Sequence, residues 1–130
     1  MDHRQTAWTV LVVEDEWLLR ADIVSYLRAA GWRVIEASDG ETALALVEDG
    51  APIDVLFTDI ALGGLVDGWA LGEKLRALRP ASGVVYASGR YREPRRAVAG
   101  SVALEKPYSR DEVLRACNGL CVGGHPHRIN

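Results

Sequence analysis

At 130 residues, with 48% hydrophobic and 25% charged residues, the chain has the size and composition of one globular domain. A domain of this length buries roughly two-thirds of the surface that its unfolded form exposes, so it is expected to fold alone. The formal net charge of -3 gives no general field for nucleic acid. No apolar run is long enough to span a bilayer, and residues 1–9 lack the basic-then-apolar layout of a secretory signal, so a cytoplasmic protein is the expectation.

Taken in chain order, two kinds of apolar period alternate. Residues 10–13 are a continuous apolar run and predict a strand covered on both faces. Leu19, Ile23, Tyr26, Leu27 and Ala30 then fall on one helical stripe that Gly31 stops. Residues 33–37 are more mixed and suit an edge strand. A second helix over 42–48 is organised around Ala43, Leu44 and Val47 and ends near Gly50. Strand runs recur at 55–58 and 84–87, separated by a helix carrying Leu71, Leu75 and Leu78 and closed by Pro80. Between Gly89 and Gly100, with Pro94 inside, the segment 90–99 has room only for a short or irregular helix. After a short run at 102–104, Ser109 and Glu112 form a capping box for a last helix carrying Val113, Cys117 and Leu120. Cys117 and Cys121, four apart on that helix, make neither a CxxC pair nor a metal cluster and read as reduced core thiols.

This alternation predicts an α/β fold: a right-handed, doubly wound, five-stranded parallel sheet, flavodoxin-like, in order 2-1-3-4-5. One domain spans 1–130, with its core at about 8–121 and a flexible tail over 122–130. In such folds ligands sit at the carboxyl ends of the strands, where strand order reverses between the first and third. Glu14 and Asp15 follow the first strand and Asp59 follows the third, so three carboxylates converge on that crevice. Like charges held close repel unless a cation compensates them, and Mg²⁺ is the natural candidate, being hard and oxygen-seeking. The backbone carbonyl of Ala61 offers one more oxygen. Ser88 ends the fourth strand and Lys106 follows the fifth; a hydroxyl and an ammonium are the donors that hold phosphoryl oxygens. Phosphoryl transfer asks mainly for positioning and charge neutralisation, and a carboxylate such as Asp59 serves as nucleophile. Taken singly, Glu14 and Asp15 read equally as helix caps, Asp59 and Ser88 as turn residues, and Lys106 as a solvated charge. The conjunction at four strand ends favours chemistry.

The runs Val10-Leu11-Val12-Val13-Glu14-Asp15-Glu16, Phe57-Thr58-Asp59-Ile60, Ala87-Ser88-Gly89 and Glu105-Lys106-Pro107 resemble the response-regulator receiver family of two-component signalling, over about residues 8–120. The resemblance implies that Asp15 is a direct metal ligand, Glu14 a ligand through water, Asp59 the phosphoacceptor, Ser88 the switch hydroxyl and Lys106 the phosphate partner. It also implies a cis Lys106–Pro107 bond. Tyr86-Ala87-Ser88-Gly89-Arg90-Tyr91 is similar to the F-A-T-G-x-Y motif of a receiver subfamily rich in single-domain members.

Three features depart from the family pattern. Ala103 stands where most receivers carry an aromatic residue three positions before the lysine, and Tyr91 is either its substitute or a loop-packing residue. The segment 60–68 lacks the usual proline, carries extra glycine and predicts an unusually mobile loop. Ala61 and Arg90 occupy positions that influence acyl-phosphate hydrolysis in opposite senses, and the sequence does not choose between them. Arg90, Arg92, Arg95 and Arg96 form a basic cluster, read as a solvated face or as a docking surface for an acidic partner. His125 and His127 lie on a Gly/Pro-rich terminus and support no site.

The resulting expectation is a stand-alone receiver with no output domain after Leu120. It takes a phosphoryl group from a histidine kinase or phosphotransfer protein and acts through a downstream protein or as a phosphate sink. It is not an enzyme in its own right and contacts neither membrane nor nucleic acid, as a monomer or weak homodimer. The competing expectation is a pseudo-receiver that binds partners constitutively.

Overall fold

Residues 7–89 and 96–122 are described by a computed structural model of the chain. Strands β1 (Thr9–Val13), β2 (Arg33–Ala37), β3 (Val55–Asp59), β4 (Gly83–Ser88) and β5 (Val102–Glu105) alternate with helices α1 (Trp17–Ala29), α2 (Gly40–Glu48) and α3 (Gly68–Leu78); α4 (Arg110–Val122) ends the fold. All strand pairs are parallel, in the order β2-β1-β3-β4-β5. The doubly wound sheet with a switch between β1 and β3 is therefore as the sequence predicts.

The reason lies in the strand compositions. Every residue of β1, β3 and β4 is buried, as uninterrupted Val, Leu and Ala runs require of strands covered on both faces. The mixed β2 and β5 form the edges, half open to solvent. One face packs Val10, Val12, Phe57 and Val85 against Ile23, Leu27, Val113 and Cys117 of α1 and α4. The other packs Leu11, Val13, Leu56 and Tyr86 against Ala43, Val47, Leu71 and Leu75 of α2 and α3. Both cysteines are buried, and burial pushes the Cys117 thiol up to about 12.

Local chemistry fixes the helix ends. Asp39 caps α2 by accepting the Thr42 amide at 2.7 Å, and Asp67 caps α3 through Ala70 at 2.9 Å. The predicted capping box of α4 is reciprocal: Ser109 Oγ accepts the Glu112 amide at 3.1 Å while Glu112 accepts the Ser109 amide at 2.8 Å. Gly31 sits at φ +102°, where α1 turns toward β2.

The structure departs from the sequence reading in detail. On α1 Val24 is buried and Ala30 exposed, because the helix ends at Ala29 before Ala30 can join the stripe. Leu78, at the last turn of α3, is 51% exposed. The loop after β3, where the sequence predicts unusual mobility, makes three specific contacts. Leu65 N–H donates to Glu41 at 2.7 Å, Gly68 N–H to the Ile60 carbonyl at 2.9 Å, and Gly40 abuts the Val66 carbonyl so closely that a Cβ there would lie 2.1 Å from it. Residues 96–101 form no α-helix. The remainder of the segment expected to hold a short or irregular one, with Arg90, Tyr91, Arg92 and Arg95, lies outside the described residues, as do His125, His127 and the rest of the tail after residue 122, which itself belongs to α4. Among the described residues no helix is long and apolar enough to cross a membrane.

Candidate functional site

Because parallel strands all run the same way, the ends of β1, β3, β4 and β5 deliver their last residues to one rim of the sheet. Glu14, Asp15, Asp59, Ser88 and Lys106 all arrive there. One carboxylate oxygen from each of Glu14, Asp15 and Asp59 lies within 4.8 Å of the others. Lys106 Nζ donates to Asp59 Oδ2 at 2.8 Å. The Lys106–Pro107 bond is cis, as the resemblance implies. Ala61 lies on the exposed stretch two residues beyond Asp59.

Capping does not account for the acidic pair. The N-cap of α1 is Glu16, whose side chain caps nothing. Glu14 Oε2 accepts the Glu16 amide at 3.0 Å, but its other oxygen is buried with no partner. Glu14 is 2% exposed and Asp59 4%, whereas Asp15 is exposed. Burial, reinforced by the charge of Asp59 and opposed by the Glu16 amide, pushes the Glu14 carboxyl up to about 7. Burial alone pulls the Lys106 ammonium down, yet its hydrogen bond to Asp59 and the charges of Asp59, Glu14 and Asp15 prevail and raise it.

Three carboxylates facing one ammonium leave two formal negative charges uncompensated within the pocket. The Ser88 hydroxyl is buried beside them with no partner. A buried polar atom left unsatisfied costs about 1–3 kcal/mol. Two such atoms at one rim, Glu14 Oε1 and Ser88 Oγ, are poor structure but good receptors. All the donors are hard oxygens, and the missing charge is that of a divalent cation, so the residues present fit Mg²⁺.

Two residues at this rim were not legible as functional from sequence. Arg20, one turn into α1, donates to the Glu14 carbonyl at 2.8 Å and to Glu36 at 3.1 Å. A basic residue near the positive end of a helix was the available signal. Tyr108 stacks edge-on to Phe57 at 5.7 Å with a buried, unpartnered hydroxyl, whose pKa is raised by burial and by the charges of Glu14 and Asp59. With Glu16, Leu19, Lys106 and Pro107 it lines a surface groove of about 390 Å³. Arg96, the described member of the basic cluster, pairs with Glu73 at 2.8 Å and lies 3.9 Å from Asp67, so it is a strut to α3. Ala103 is exposed on β5.

A doubly wound parallel sheet with an acidic pocket, a hydroxyl and a lysine at the carboxyl ends of its strands defines a class of α/β proteins that bind ligands at that rim. Within that class the chain belongs to the response regulator receiver domain family, whose pattern matches residues 10–118. It superimposes on a response regulator receiver protein from Sinorhizobium medicae with a TM-score of 0.85 at 33% identity, covering 89% of this chain and 95% of that one. It is 30% identical over 122 residues to Protein PilG of Pseudomonas aeruginosa, 89% of each chain. It is 33% identical over 117 residues to the probable transcriptional regulatory protein TcrX of Mycobacterium tuberculosis, 86% of this chain but 49% of TcrX. Other curated relatives are likewise longer, the chain spanning 18% of a cyclic di-GMP phosphodiesterase from Thermotoga maritima.

Proposed function

We propose that the chain is a phosphoacceptor: Asp59 takes a phosphoryl group from the phosphohistidine of a histidine kinase or phosphotransfer protein. The observation that carries this reading is the Lys106–Asp59 contact of 2.8 Å inside a cluster of three carboxylates. A carboxylate oxygen of Asp59 attacks phosphorus, the P–O bond forms as the P–N bond breaks, and the imidazole leaves with the electron pair of that bond. Lys106 and Ser88 donate to the phosphoryl oxygens. Glu14, Asp15, Asp59 and the Ala61 carbonyl would hold Mg²⁺. When bound, the ion neutralises charge on the phosphoryl group.

The chain then signals by phosphorylation-dependent binding of a downstream protein or by draining phosphate from its donor. The reading extends to a cytoplasmic receiver domain that is monomeric or weakly dimeric. Tyr86, Ala87, Ser88 and Gly89 support membership of the F-A-T-G-x-Y subfamily. The exposed Ala103, in place of an aromatic, is the observation that favours the alternative, a pseudo-receiver that binds constitutively.

Incubation with acetyl phosphate and Mg²⁺, followed by intact mass measurement, separates the two. A gain of one phosphoryl group in the unmodified chain and none in Asp59→Asn or without Mg²⁺ is the expected result. No gain in any sample leaves the pseudo-receiver.

A further inference from the structure

The turn that carries Glu14 and Asp15 is held from outside the pocket. The Glu14 N–H donates at 3.2 Å to the carbonyl of Ala37, the last residue of β2, and its own carbonyl accepts Arg20 Nη1 at 2.8 Å. Through Nε the same guanidinium donates to Glu36, also on β2, at 3.1 Å. The Glu14 peptide is thus gripped at both its ends, with β2 as the common anchor. Helical side chains lean back toward the N-terminus of their helix, which is how Arg20 reaches a residue preceding α1. Its side chain is 20% exposed, and of its two bonds the one to the Glu14 carbonyl is part-buried while the one to Glu36 lies at the surface. With the backbone fixed, Glu14 Oε2 is taken by the Glu16 amide, and Oε1 is the atom left over at the pocket.

We infer that Arg20 is the positioning residue of this pocket, a two-pronged tie that sets Glu14 and Asp15 for a divalent cation; the inference rests on the reading of the pocket as a Mg²⁺ site. The charge of Arg20 works against that use. A guanidinium beside a cation site repels the cation, so as a charge alone it weakens binding. Its contribution is geometric, and geometry and charge predict opposite signs when it is removed. Lysine separates them further, since an ammonium keeps the charge but not the planar fork that meets two acceptors at once.

The test titrates Mg²⁺ alone into the full chain and into Arg20→Ala and Arg20→Lys, following backbone amide NMR signals near Asp15 and Asp59. The same spectra report whether each variant is folded. Partners that orient metal ligands typically contribute 10–100-fold in affinity, so both variants are expected to bind roughly tenfold more weakly or worse. Folded Arg20→Ala that binds as tightly as the unmodified chain, or more tightly, overturns the inference. So does Arg20→Lys with unchanged affinity, which keeps the test decisive if the alanine variant unfolds. Absence of Mg²⁺ binding by the unmodified chain overturns the metal reading and this role together, whereas binding that is merely insensitive to Arg20 overturns this role alone.

Discussion

The two ends of the sheet carry the same residue types in opposite states. At the amino end, Asp54 just before β3 is buried; it accepts the Thr9 amide at 2.9 Å and stands 3.8 Å from Arg79. Ser82 just before β4 donates to the Ile53 carbonyl at 3.2 Å. At the carboxyl end, Asp59 on β3 accepts from Lys106 but also faces two other carboxylates, and the Ser88 hydroxyl on β4 has no partner. Among the described residues, Glu14, Ser88 and Tyr108 contribute three of the four buried side-chain atoms that lack a hydrogen bond, and Arg79 contributes the fourth. The amino end satisfies these polar groups, Arg79 Nε excepted, while the carboxyl end leaves three side-chain atoms unsatisfied. Satisfied polar groups hold a structure together, while unsatisfied ones mark where something else is meant to bind.

The largest contrast is expected between the two aspartates. Asp54→Ala strands the Thr9 amide and removes the partner of Arg79, so a loss of about 3 kcal/mol is expected in urea denaturation. Asp59→Asn, measured beside it in EDTA, relieves repulsion among the carboxylates and is expected to leave stability unchanged or higher. Equal losses would abolish the distinction between the two ends.

Titration sharpens the same comparison. Glu14 is raised from 4.5 to about 7, so between those values the folded state holds a proton that the unfolded state has released. Its contribution to stability is therefore present below about pH 4.5 and disappears as pH rises through about 7, a change of order 2 kcal/mol without metal. Glu14→Gln is expected to remove that part of the pH dependence. Mg²⁺ reverses the preference, since it binds the ionised carboxyl, and its affinity is expected to rise with pH up to about 7 and then level off. Metal titrations at pH 6 and pH 8 with equal affinity would contradict this.

These contrasts also explain what could be read in advance. The strand order and all five strand-end residues were legible, because buried parallel strands are written as continuous apolar runs and each run ends at a polar residue of definite chemistry. Asp59 and Ser88 each follow such a run directly, and Lys106 stands one residue beyond the short apolar run of β5. Arg20 was not legible, since its partners are a backbone carbonyl and Glu36, sixteen residues away across a strand pairing. The contacts of the β3–α3 loop were not legible either, because glycine content reports intrinsic freedom alone. One of them is made to Glu41, on another helix. Local pattern therefore specifies which residues reach the rim, and long-range contacts specify how they are held there.

The smallest expected effect is also the cleanest, because it compares one residue type at the two ends of one strand. Ser82→Ala removes a buried hydrogen bond and leaves the Ile53 carbonyl without that donor, which is expected to cost about 1 kcal/mol in denaturation midpoint analysis. Ser88→Ala removes a hydroxyl that has no partner, so without metal or phosphoryl donor it is expected to be neutral or to stabilise by a fraction of a kcal/mol. The hydroxyl has value only once the pocket is filled. The order should therefore invert when phosphorylation is read instead of stability, with Ser88→Ala slowing phosphoryl capture from acetyl phosphate and Ser82→Ala leaving it unchanged. If Ser88→Ala destabilised the fold without metal as much as Ser82→Ala, Ser88 would be another closing residue and the carboxyl rim would lose one of its three unsatisfied atoms.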